Sequence, residues 1–109
     1  MKSTRLAAAI AFLLGCLAAA AAAKTMNIVQ RGLALSPTSA TLTNGDQLIF
    51  TNEDDVIHNI HIFGPGPDES VDLGLQKPGR NLSYRFTKPG NYRVRCNIHP
   101  SVKMSVVVK

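Results

Sequence analysis

The sequence predicts an all-β fold, a small sandwich or barrel. Three observations carry this reading: short runs with a period of two recur from Thr25 to Lys109, turn residues separate them, and no run has the apolar spacing of a three-turn amphipathic helix. A period of two places alternate side chains on opposite faces of a strand, so one face of each run can be buried.

The elements follow in order. Met26-Asn27-Ile28-Val29 forms a short strand, and the turn Asn44-Gly45-Asp46 leads into Gln47 to Asn52, where Leu48 and Phe50 alternate with mostly polar neighbours. Val56 to Phe63 is the most apolar strand before the C-terminus. Gly64-Pro65-Gly66-Pro67 stops it, because proline offers no backbone donor and glycine frees the dihedrals. After Pro78-Gly79, Leu82, Tyr84 and Phe86 face one way while Ser83 and Arg85 face the other. Pro89-Gly90 makes the next tight turn. Tyr92, Val94 and Cys96 then share a face opposite Arg93 and Arg95, so Cys96 ends a strand on its inner side. Met104 to Val108, rich in β-branched residues, closes the sheet. There is no internal repeat and no linker in this stretch.

The N-terminus reads differently. Lys2 and Arg5 precede an apolar run from Leu6 to Leu17, and small residues follow at Ala21, Ala22 and Ala23. This is the pattern of a signal peptide over 1–23, which predicts export to the periplasm and a single domain over 24–109. A membrane span needs about 20 apolar residues, and here the run turns into alanine alone from Ala18 to Ala23. Leu13-Leu14-Gly15-Cys16 also resembles a lipoprotein cleavage site, but apolar residues rather than a polar tether follow Cys16. Ordinary cleavage is the reading adopted.

Residues 24–109 carry ten Lys and Arg against seven Asp and Glu, a net charge of +3. The acidic residues all lie between Asp46 and Asp72, whereas Arg80, Arg85, Lys88, Arg93, Arg95, Lys103 and Lys109 crowd the C-terminal part. Such a distribution is either a solvated surface or a basic face that steers toward an acidic partner. Two Tyr, four Phe (one of them, Phe12, in the signal segment) and no Trp leave little to stack on bases, which argues against nucleic acid.

Cysteine usage says more. The domain is expected in an oxidising compartment and contains only Cys96, which has no partner for an internal disulfide. Cys96 is therefore either a buried hydrophobe or a residue occupied by something. All three histidines lie in two segments with it, Ile57-His58-Asn59-Ile60-His61 and Cys96-Asn97-Ile98-His99-Pro100. A strand-to-loop turn at Cys96 can bring its thiolate and the His99 imidazole onto one metal, with His58 supplied by a neighbouring strand. One thiolate and two imidazoles make a trigonal set that suits copper, whereas structural zinc usually takes a fourth Cys or His. His61, three positions from His58, points to the opposite face of a regular strand and is read as a surface or packing residue.

At these residues the chain resembles the plastocyanin, pseudoazurin and amicyanin group of cupredoxins. His58-Asn59 resembles the family's HN-containing strand, and Cys96 with His99 its C-x-x-H loop. Asn44-Gly45-Asp46, Phe50-Thr51-Asn52 and Pro89-Gly90-Asn91-Tyr92 follow in the same order. The resemblance implies a Greek-key β-sandwich or barrel with one type 1 copper ion on His58, Cys96 and His99. It also implies a bracing role for Asn59 toward the cysteine loop and an apolar electron port at His99, Pro100 and Val102.

The fourth ligand has two candidates. Met104 stands five residues after His99, the plastocyanin spacing, while counting back from Val106-Val107-Val108 puts Val102 at the amicyanin position. Met104 is the reading adopted, since a short loop can bulge. The function expected is a monomeric one-electron carrier docking transiently with redox partner proteins. The alternative is a module that binds or delivers copper. A Cys-His enzyme is disfavoured, because no helix follows Cys96 to supply an oxyanion donor.

Overall fold

The computed structural model describes residues 22–109. The signal-peptide reading therefore falls, apart from Ala22 and Ala23, outside the described residues, as does Cys16. Among the described residues nine strands form: β1 (Thr25–Gln30), β2 (Leu35–Ser36), β3 (Ser39–Leu42), β4 (Gln47–Asn52), β5 (His58–Phe63), β6 (Ser70–Gln76), β7 (Asn81–Arg85), β8 (Gly90–Arg95) and β9 (Lys103–Val108). They build two sheets, β2-β1-β4-β7 and β3-β9-β8-β5-β6. The chain crosses between sheets after β2, β3, β4, β6 and β7. Those crossings leave two parallel pairs, β1 with β4 and β3 with β9, among otherwise antiparallel neighbours. The all-β sandwich expected from the periodicity is the architecture observed, with no helix among the described residues.

Alternation decides which face is buried. In β8, Tyr92 and Val94 point inward and Arg93 and Arg95 outward, and in β9 Met104, Val106 and Val108 point inward. From the facing sheet, Ile28, Leu48, Phe50 and Phe86 complete the core. Phe86 packs edge-on against both Tyr84 and Tyr92, with ring centroids 4.9 and 5.0 Å apart. Such contacts contribute about 0.5–1.5 kcal/mol each beyond area burial. The side chain of Gln30 is fully buried without a hydrogen-bond partner, an exception to the apolar rule.

The sandwich has two ends of different construction. At one, interlocked turns close the fold. Gly90 has φ 142° and a Cβ there would lie 2.5 Å from Pro65 Cβ, while Gly64 has φ 120° and a Cβ would lie 2.5 Å from Asn91 O. Only glycine fits both conformations and both approaches. Nearby, Asp46 accepts from Lys24 N at 2.8 Å and Thr43 N at 2.9 Å. These two bonds hold its carboxyl below the ordinary carboxylate value against the opposing push of burial. At the other end lie the start of β5, the end of β8 and the loop 96–102.

Candidate metal centre

His58 opens β5 and is fully buried, and Cys96 follows directly on β8 at 2 % exposure. Their positions follow from register. His61 pairs with Arg95 across β5 and β8, so the start of β5 lies beside the chain as it leaves β8. His58 Nε2 donates to Asp54 Oδ2 at 2.8 Å. In the neutral ring with its proton on Nε2, the lone pair is on Nδ1, and Nδ1 faces Cys96 Sγ at 3.5 Å. His99, half-buried in the loop, sets its ring edge-on to His58 with centroids 5.0 Å apart. Among the described residues no three such side chains form a closed cation cluster. The three expected donors are instead adjacent in pairs.

The His58–Cys96 pair passes a simple test of fit. A first-row metal about 2.1 Å from nitrogen and about 2.3 Å from sulfur, at tetrahedral to trigonal angles, separates the two donors by about 3.6–3.8 Å. The His58–Cys96 separation of 3.5 Å agrees with this.

Hydrogen bonds hold the pair from behind. Asn59 N donates to Cys96 Sγ at 3.3 Å, and Asn59 Oδ1 accepts from Asn97 N at 2.6 Å. Asn59 thus ties β5 to the cysteine loop at two points, in the bracing role the resemblance implied. Cys96 N donates to Val102 O at 2.9 Å, and Val102 N to His99 O at 3.0 Å, so Val102 closes the loop against Cys96. His61 lies away from these donors, stacked on Phe63 and accepting on Nδ1 from the Asn97 side-chain amide at 3.0 Å.

The bulge expected near Met104 is absent. β8 and β9 pair in unbroken register from Gly90 with Val108 to Arg95 with Lys103, which sets Met104 opposite Val94 and buries it in β9. One step further, the same register sets Val102 opposite Cys96. Val102 is also fully buried, so it takes no part in the exposed port expected with His99 and Pro100. The exposed apolar side chains at this end include Ile98, Leu33, Val56 and Ile57.

Sequence reasoning missed Asp54. Besides His58 it accepts from Gly32 N at 2.6 Å and Leu33 N at 3.1 Å, holding a turn in which Leu33 has φ 56°. Burial raises its carboxyl, but the hydrogen bonds from His58, Leu33 and Gly32 together outweigh this and leave it below the ordinary value. Ser101 Oγ donates to Leu33 O at 2.8 Å, joining this turn to the ligand loop. The available signal was an acidic residue four positions before His58, hidden among Glu53, Asp54 and Asp55.

Residues 22–109 match the model of the copper-binding proteins of the plastocyanin/azurin family. The chain belongs to this family. Its members bind copper, in agreement with the donor set described above. A relative, amicyanin-alpha of Methylorubrum extorquens, is 33 % identical over 66 residues, 60 % of this chain and 56 % of the relative. The chain therefore matches little more than half the length of that protein. Among solved structures, a reduced amicyanin variant superposes with a TM-score of 0.71 at 22 % identity, covering 84 % of this chain and 88 % of the other. A copper-containing nitrite reductase from Thermus scotoductus reaches 0.69 at 24 % identity, covering 78 % of this chain but 22 % of that enzyme. These likenesses establish the cupredoxin fold. The second covers only a small part of an enzyme chain.

Proposed function

We propose that this cupredoxin is a periplasmic one-electron carrier, monomeric, whose single copper is held by His58, Cys96 and His99. The observation that carries the reading is the His58 Nδ1 to Cys96 Sγ approach, with every other polar contact of both side chains taken by Asp54 or Asn59. Copper supplies the reversible one-electron chemistry here. The protein's part is to hold a thiolate and two imidazoles in place, exclude water from two of them and leave His99 near the surface.

For the fourth position, the unbroken β8–β9 register supports Val102 lying over the site, with Met104 packed one residue pair deeper in the core. A site without a thioether has a higher potential than one with it. Burial of His58 and Cys96 favours a carrier over a delivery module, whose donors must be reached by an exchanging partner. Exposed Ile98 and Pro100 beside His99 suit brief apolar docking of redox proteins.

Metal analysis with a visible spectrum tests the centre. The expected result is one copper per chain and an intense thiolate-to-copper absorption, lost in Cys96→Ser; a colourless zinc-bound or metal-free protein would overturn it. Reversible uptake of one electron separates carrier from buffer. Val102→Met should lower the potential while Met104→Leu leaves it nearly unchanged; the opposite pattern would assign Met104.

A further inference from the structure

The outer face of the five-stranded sheet carries cations that the fold does not use. Arg93 and Arg95 point outward from β8, and Lys103 stands opposite Arg95 on β9. Among the described residues the ion pairs are Arg31 with Glu53, His58 with Asp54 and Lys88 with Glu69, so none of these three cations is neutralised. The one carboxylate in the adjoining row is Asp72, opposite His61, and it accepts from Gly74 N and the Asn59 side chain.

The face is also shaped. Arg95 lies over the Phe63 ring at 5.7 Å, and Phe63 stacks on His61 with centroids 4.1 Å apart. A guanidinium on an aromatic ring is held at little further cost in side-chain freedom. A groove of about 420 Å³ runs beside the cations, lined by Arg93, Arg95 and Lys103 with the hydroxyl residues Thr38, Ser101 and Ser105. Three cations and the hydroxyl groups of Thr38 and Ser105 are donors for carboxylates, Ser101 already donating to Leu33 O. The face lies beside the centre by covalent connection, since Arg95 immediately precedes Cys96 and His61 holds the side chain of Asn97.

We infer that this face, separate from the apolar surface around His99, is the docking surface for a redox protein that presents an acidic patch. The inference rests on the carrier reading. Such a partner in its reduced state would lose one electron and the Cu(II)-loaded protein would gain it, with Cys96 the candidate donor nearest this face in sequence. Charge complementarity identifies the partner's chemistry: three unpaired cations steer an anionic surface and raise its association rate.

The test uses the copper-loaded protein labelled with 15N and a reduced acidic b-type cytochrome as the probe, with a basic c-type cytochrome as control. Amide shifts are expected at Phe63, Arg93, Arg95, Lys103 and Ser105 on titration with the acidic cytochrome, fading at high salt. In the triple variant Arg93→Glu, Arg95→Glu, Lys103→Glu the electron-transfer rate at low salt should fall about tenfold or more with the visible spectrum unchanged. The milder pair Arg93→Gln and Lys103→Gln, which leaves Arg95 on Phe63, should show a smaller loss and guards against misfolding. Equal rates in wild type and both variants would overturn the docking surface while leaving the carrier intact. Shifts confined to Ile98 through Ser101 would also overturn it, as would binding to anionic phosphatidylglycerol vesicles without any cytochrome shift. Shifts on this face without reduction would support the surface and overturn the carrier reading.

Discussion

The two ends of the sandwich solve opposite problems. At the end built from Gly64, Gly90 and Asp46, turns approach so closely that no side chain fits between them, and the result is closure. At the end built from His58, Cys96 and the loop 96–102, buried polar groups are kept apart and aimed at one another. Closure takes glycine and a single carboxylate; aiming takes a network running from Asp54 through His58 and from Asn59 to Cys96 and Asn97. The first end therefore bears on whether the domain stays folded, and the second is where copper binding is proposed.

This division can be broken deliberately. Gly90→Ala should have the largest effect on stability, about 2–4 kcal/mol, from a Cβ 2.5 Å from Pro65 and a left-handed backbone together. Chemical denaturation should record it, and copper-site spectra of the remaining folded protein should be unchanged. A shifted spectrum would mean that the ends are coupled. Asp54→Ala should do the reverse, lowering copper affinity by about 10–100-fold as the orienting acceptor on His58 is lost. Competition with a chelator would measure it. Unchanged affinity would show that packing alone orients the ring.

The smallest expected effect is at Asp46. Its folded pKa lies below the unfolded value of about 3.9, so its contribution is complete above that value and is lost as pH falls through the folded pKa. Melting temperatures of wild type and Asp46→Asn should thus differ near neutral pH and converge in acid below about pH 4. A constant difference across that range would exclude the carboxylate charge as its cause.

Much of this division is visible in the amino-acid pattern, and unevenly so. Strands with one apolar face, such as β4, β8 and β9, announce themselves by alternation, and the candidate donors announce themselves because His and Cys are scarce. β6 was missed because Gly74 interrupts it and Leu75, at 70 % exposure, breaks the expected correlation of apolar with buried. β3 is four residues with one buried side chain, too short for a period to register. At the metal end, the roles of Asp54 and Ser101 depend on loops that meet only in three dimensions, Ser101 reaching Leu33 across 68 positions of sequence. Whether Met104 lies in a bulge or in the strand depends on whether β8 and β9 stay in register, which is a property of the pair and not of either strand.

The double tie made by Asn59 bears on how the protein acquires its metal. In small zinc domains the ion supplies the folding free energy, and the empty chain is unfolded. Here hydrogen bonds already fix β5 against the cysteine loop, and an apolar core lies beneath them. Copper bound to such a scaffold and not to the unfolded chain adds stability by mass action, in proportion to the logarithm of its concentration over its dissociation constant.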